Sequence, residues 1–132
     1  MAEIPDEFEE ILNGKAFAHF ATKMPDGNLH VTPVWVSYDG EHVLINTAKG
    51  RQKDINVRQD PKVGVSILDP DDPYRYLSIQ GEVIEITQDG AIDHIDELAQ
   101  RYMDVEEYPN HGEEMGPREI IRIRPDKVLT NS

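Results

Sequence analysis

Three strand-like runs joined by short turn signals constrain this chain more than any other feature. Residues 16–22 (Ala-Phe-Ala-His-Phe-Ala-Thr) and 29–38 (Leu-His-Val-Thr-Pro-Val-Trp-Val-Ser-Tyr) flank the sequence Pro25-Asp26-Gly27-Asn28. Asp39-Gly40 then separates the second run from a third at residues 42–47. Proline presets a turn's first φ, glycine supplies positive φ, and Asx side chains close the turn on themselves. Links this short join antiparallel neighbours, because parallel strands need a crossover of a dozen residues or more. Pro33 cannot donate to a ladder, so the second strand is expected at an edge or a bulge.

The rest of the chain extends the pattern. Residues 5–12 read as a short helix, with Phe8, Ile11 and Leu12 on one face and Asn13-Gly14 as its stop. A helix is expected over 51–59, ended by Asp60-Pro61, and a fourth strand over 62–68. Residues 69–73 read as a loop and 74–87 as a long fifth strand in which Gly81 marks a bulge or a close backbone approach. A helix over 91–103 buries Ile92, Ile95, Leu98, Ala99 and Tyr102. A loop over 105–118 leads to a last strand at 119–129. The expected class is mainly β with α (α+β), one domain over residues 1–132. Its strands form a closed or nearly closed antiparallel sheet with helices outside. Strands and helices do not alternate as in a doubly wound sheet.

Charge excludes several partners. Acidic residues outnumber basic ones 26 to 13, for a net charge of −13. Nucleic acid and anionic membrane surfaces both call for the opposite sign. So acidic a surface with little lysine suits a salt-rich cytoplasm, although an ordinary acidic protein fits as well. The chain has no cysteine, which removes thiolate nucleophiles, disulfides and Cys-ligated metals. His19, His30, His42, His94 and His111 lack metal-ligand spacing, so no metal site is expected. The N-terminus has no apolar stretch of a signal peptide, no run spans a bilayer, and the expected address is cytoplasmic.

Against this acidity, five of the thirteen basic residues fall within 49–62: Lys49, Arg51, Lys53, Arg58 and Lys62. They gather where the third strand gives way to a helix. A helix start presents unpaired N–H groups and a positive dipole end, and Gly50 lets backbone approach a ligand. The functional reading is a phosphate seat. The plain alternative is a solvated first turn with surface ion pairs.

The ordered set Ala18-His19-Phe20-Ala21-Thr22, Pro25-Asp26-Gly27, Val31-Thr32-Pro33-Val34-Trp35-Val36, Asn46-Thr47-Ala48-Lys49-Gly50-Arg51-Gln52-Lys53, Asn56-Val57, Asp60-Pro61-Lys62-Val63 and Gly81-Glu82-Val83 resembles the pyridoxamine 5′-phosphate oxidase-like split-barrel flavoproteins. More narrowly it is similar to the branch that uses the deazaflavin coenzyme F420. The resemblance implies a six-stranded antiparallel split β-barrel and a homodimer with the cofactor in a groove at the interface. It implies that Arg51 and Lys53, helped by Lys49 and Gly50, hold the cofactor phosphate. By the same resemblance Asn46 and Thr47 lie along the cofactor chain, and Val34, Trp35 and Val36 near the ring. Tyr76 of the fifth strand would come from the other subunit. Family members that oxidise vitamin B6 phosphates carry further basic residues and a longer C-terminal segment, so such a substrate is not expected.

These readings converge on an oxidoreductase passing a hydride from reduced F420 to a small unsaturated or carbonyl-conjugated molecule. Alternatives are the same fold with FMN, a non-catalytic flavin or haem carrier with His19 or a surface histidine as axial ligand, and a sensor barrel with an empty groove. Lys49 and Arg58 are counted as extra cations for an acidic cofactor tail, which favours the deazaflavin. No standard nucleotide-loop, zincin or nucleophile-elbow motif is present.

Overall fold

A computed structural model describes residues 2–111 and 116–132. A 3-10 turn, Asp6–Phe8, runs into the short helix α1, Glu9–Leu12. Then follow β1 (Ala18–Lys23), β2 (Leu29–Val34), β3 (Ser37–Tyr38), β4 (Val43–Ala48) and α2 (Gln52–Gln59). After these come β5 (Lys62–Asp69), β6 (Asp72–Thr87), α3 (Ala91–Met103) and β7 (Arg118–Asn131).

The seven strands form one antiparallel sheet in the order β2-β1-β5-β6-β7-β4-β3. Its two edges are consecutive in sequence: β2 ends at Val34 and β3 begins at Ser37. Three residue steps span about 11 Å at most. A flat sheet would hold strands six places apart at about 29 Å. The sheet must therefore curl until its edges nearly meet, which is the split barrel that the sequence led us to expect.

The strand count is seven, not six, because the run 29–38 breaks at Trp35-Val36. Val36 turns fully inward, and Ser37 and Tyr38 leave β1 to pair with Leu44 and Val43. The expected helix over 5–12 is half 3-10, and the expected loop at 69–73 shrinks to a tight link between Asp69 and Asp72. Residues 112–115 of the expected loop lie outside the described residues.

Residues at alternate positions point to opposite faces. Phe20, Val43, Ile45, Val65, Ile67, Leu77, Ile79, Ile121 and Ile123 fill the barrel, closed at one end by Phe8, Ile11 and Leu12. A second apolar layer forms where α3 lies on β4 and β7 through Ala91, Ile95, Leu98 and Ala99. Ile92, expected in that layer, is 51% exposed, and His94 takes the inward place. Pro33 sits on the edge strand β2. Gly81 sits at a register shift in the β6–β7 ladder, where a Cβ would lie 2.6 Å from the Arg124 carbonyl oxygen. The two backbones approach too closely there for a side chain at this position.

Candidate functional site

The candidate cleft begins where β4 runs into α2. Gly50 has φ +95°, a left-handed conformation natural to glycine, and it turns the chain sharply into Arg51 at the head of α2. Three N–H groups of the junction are satisfied within the protein. Lys49 N donates to Pro117 O (2.8 Å), Gly50 N to Asp54 Oδ2 (2.9 Å) and Arg51 N to Ala48 O (3.3 Å). Asp54, at the third helical position, reaches back over the helix start as an acidic cap does. Gly50 therefore shapes the junction, and its N–H is committed to Asp54. Arg58 is committed as well, correcting the expectation of a spare cation. Its Nε donates to Asp54 Oδ1 (2.9 Å) and its Nη2 to Glu119 Oε1 (2.7 Å).

Arg51 and Lys53 instead turn toward α3. They enter a cleft of about 320 Å³ together with Val34, Trp35 and Asn46. These five expected residues meet in one place. The other five, Thr47, Val36, Tyr76, Lys49 and Gly50, do not line it. The Thr47 side chain points with Val43 and Ile45 into the barrel, the face opposite Asn46. Val36 is buried, and its N–H donates to Tyr102 Oη (3.3 Å). Tyr76 lies on β6 beside Leu68 and Asn131, 40% exposed, apart from the cleft. Lys49 is exposed at the junction.

The cleft also holds residues that sequence reasoning missed: Phe17, Ile95, Met103, Tyr108, Asn110 and Arg118. Arg118 pairs opposite Ala48 at the start of β7, so the β4–β7 ladder carries it beside Asn46. Its Nε donates to Asn46 Oδ1 (2.8 Å), and its guanidinium lies 5.2 Å from the Tyr108 ring centre. A signal did exist: Arg118 shares a strand face with Ile120 and Arg122. Its neighbours 49–53 are too distant in sequence to suggest the meeting.

Aromatic rings form the opposite wall. Trp35 stacks on Tyr102 at 5.2 Å and 4°, and meets Tyr108 edge-on at 6.1 Å. Tyr102 is pinned in turn, its hydroxyl donating to Ala16 O at 2.6 Å. Tyr108 is held by Asp96, whose Oδ1 accepts from Tyr108 N (2.8 Å) and binds His111 Nε2 (2.6 Å). The break at Trp35-Val36 that adds a strand thus also turns the indole into the cleft.

Electrostatics marks the other end. Burial, then the repulsion of Arg51 and Arg118, holds the Lys53 ammonium below the ordinary lysine pKa of 10.5. Arg51 and Arg118 thus add to the cost of the Lys53 charge, and an anion bound beside Lys53 would lower that cost. Chemically, such a cleft is able to take a flat aromatic group along one wall and an anion at its cationic end. A larger concavity, about 550 Å³, lies near Lys23, Glu82 and Arg124. It has no aromatic residue in its wall, and Arg124 there is bonded to Glu82 (2.8 Å) and Asp126 (2.7 Å). Its size therefore does not make it the better site.

The match to the family described as pyridoxamine 5′-phosphate oxidase runs over residues 4–132. The chain belongs to that family. Among solved structures, one described as an F420 reductase is 33% identical, with 96% of this chain and 98% of that chain covered and a TM-score of 0.84. A conserved hypothetical protein from Mycobacterium tuberculosis is 25% identical over 100% of this chain and 86% of that chain, with a TM-score of 0.77. General Stress Protein 26 from Bacillus anthracis, at 18% identity, 96% and 92% coverage and a TM-score of 0.70, shares the fold. No curated protein matches in sequence. Among the described residues of this family member, no helix is long and apolar enough to cross a membrane.

Proposed function

We propose that this chain is an F420-dependent oxidoreductase. The observation that carries the reading is the set of cations Arg51, Lys53 and Arg118 at one end of an aromatic-walled cleft, in a chain of net charge −13. The 33% identity to an F420 reductase supports the deazaflavin over FMN. When bound, reduced F420 supplies the hydride for a small unsaturated or carbonyl-conjugated acceptor. The chain supplies the rest. Arg51 and Lys53 grip the phosphate, with Lys49 and Gly50 shaping and charging the approach. Asn46 holds Arg118 over the cofactor chain, while Thr47 and Val36 brace the wall from behind. Val34 and Trp35 border the ring and keep water from it.

The proposal includes a homodimer. Two rungs of side chains cross five strands on the outer face: Pro33-His19-Ser66-Ser78-Leu129 and Val31-Ala21-Gly64-Gln80-Lys127. Small residues fill the middle, and Leu29, Val31, Leu68, Tyr76 and Leu129 remain exposed around them. Pro33 belongs both to this face and to the cleft. A second copy seated there would close the cleft from outside and could bring its Tyr76 to it.

The test is a fluorescence titration of purified protein with F420 and, separately, with FMN, followed by anaerobic turnover of a panel of conjugated acceptors. F420 binding in the micromolar range needs about 8 kcal/mol. Two charge-assisted bonds to phosphate contribute about 1.5–3 kcal/mol each. Removing both cations, Arg51→Ala with Lys53→Ala, should weaken binding at least about tenfold, or 1.4 kcal/mol. FMN binding without F420 binding would move the reading to a flavin enzyme. Binding of neither would end it, and a Soret band on adding haem would indicate a carrier.

A further inference from the structure

Asn46 makes one polar bond through each side of its amide to a partner that can play only one role. Nδ2 lies 2.9 Å from Ala91 O, which only accepts, and Oδ1 lies 2.8 Å from Arg118 Nε, which only donates. The amide orientation is therefore settled. Its second Nδ2 hydrogen points at His94 Nδ1, 3.0 Å away. That nitrogen must be bare, so the ring proton sits on Nε2 and is donated to Ser37 Oγ at 2.9 Å. A chain of bonds thus runs from Ser37 on β3, through His94 on α3 and Asn46 on β4, to Arg118 on β7.

We infer that His94 is a positioning residue: its bare Nδ1 locks the Asn46 amide so that Oδ1 faces Arg118 and holds that guanidinium at the cleft. The inference rests on the proposal that the cleft binds an anionic cofactor. A protonated His94 would set a donor against a donor, and the amide would have to break away from Ala91 and Arg118. The surroundings oppose that protonation from every side that carries charge. Burial acts first, followed by Arg101 on the same helix and Arg118 and Arg122 on β7, and together they push the ring pKa down to about 4. The elements that supply Ser37 and Asn46 bring neutral partners. His94 is nearly fully buried, so no water replaces the lost bond.

Two variants and one ligand-free measurement test this. His94→Asn returns an amide oxygen close to the place of Nδ1, while His94→Leu fills the space without an acceptor. In F420 titrations, His94→Asn should bind as wild type, and His94→Leu about tenfold more weakly. In an Arg118→Met background the His94→Leu change should have no further effect. Equal binding by His94→Leu, or an undiminished loss in the Arg118→Met background, overturns the inference. In the protein without cofactor, long-range ¹H–¹⁵N spectra should show His94 bare at Nδ1 and protonated at Nε2. The Arg118 Nε–H should exchange faster in His94→Leu than in wild type or His94→Asn. The opposite tautomer, or unchanged exchange, overturns it whether or not F420 binds, and absence of F420 binding alone strikes the cofactor reading instead.

Discussion

Lys53 offers a test in which binding and stability should move in opposite directions. Its ammonium is half-buried beside Arg51 and Arg118, and its pKa lies below the ordinary 10.5. In the window between the folded value and 10.5 the unfolded chain binds more protons than the folded one, so stability rises with pH there. At neutral pH the charge is therefore a cost to the fold. Lys53→Met keeps most of the stem and removes that cost, so the cofactor-free variant should melt at the same temperature as wild type or higher. With an anion in the cleft the sign reverses. A charge-assisted bond to phosphate contributes about 1.5–3 kcal/mol, so losing it should weaken F420 binding about 10- to 150-fold. The assay is paired: thermal unfolding by circular dichroism without cofactor, and fluorescence titration with F420 in the same buffer. A surface lysine with no anion to hold would leave affinity unchanged. A lysine that braces the fold would lower the melting temperature. Either result refutes the reasoning.

Three further outcomes are expected. Asp54 and Glu119 are neighbouring buried carboxyls that should respond oppositely to loss of charge. Burial raises Asp54, but the Glu119 bond, the Gly50 N–H and Arg58 outweigh it and the pKa falls; burial, then Asp54, pushes Glu119 up. Asp54 thus stabilises above about pH 4 and loses this as pH falls through its lower folded value, whereas Glu119 stabilises in acid and loses this as pH rises. In denaturant titrations at pH 7, Asp54→Asn should cost about 1–3 kcal/mol, while Glu119→Gln should be neutral or stabilising. Gly81→Ala should cost about 1–3 kcal/mol by forcing the β6–β7 backbones apart, read as a lower denaturation midpoint. His94 takes up its proton near pH 4 when folded and near 6.5 when unfolded, so wild-type stability should fall between those values by about 3 kcal/mol. His94→Asn should lack that component of the acid profile.

The barrel was legible because its signals are local. Turn dipeptides, strand alternation and the Gly81 interruption each act within a few residues, and the helix over Ala91–Met103 follows from its apolar period. The cleft was legible only in part, since burial and pairing are decided by distant segments. Arg51 and Arg58 looked alike in sequence, yet Glu119, brought opposite Thr47 by the β4–β7 ladder, stands beside α2 and claims Arg58. The same ladder delivers Arg118 to Arg51 and Lys53. Trp35 reaches the cleft because the second strand breaks, and β3 can pair with β4 only if the chain leaves β1 there. Closing the sheet and opening the cleft are therefore one event. Each barrel edge ends where the indole turns out, so a substitution that straightened residues 34–37 into a continuous strand would remove the aromatic wall and the closure together.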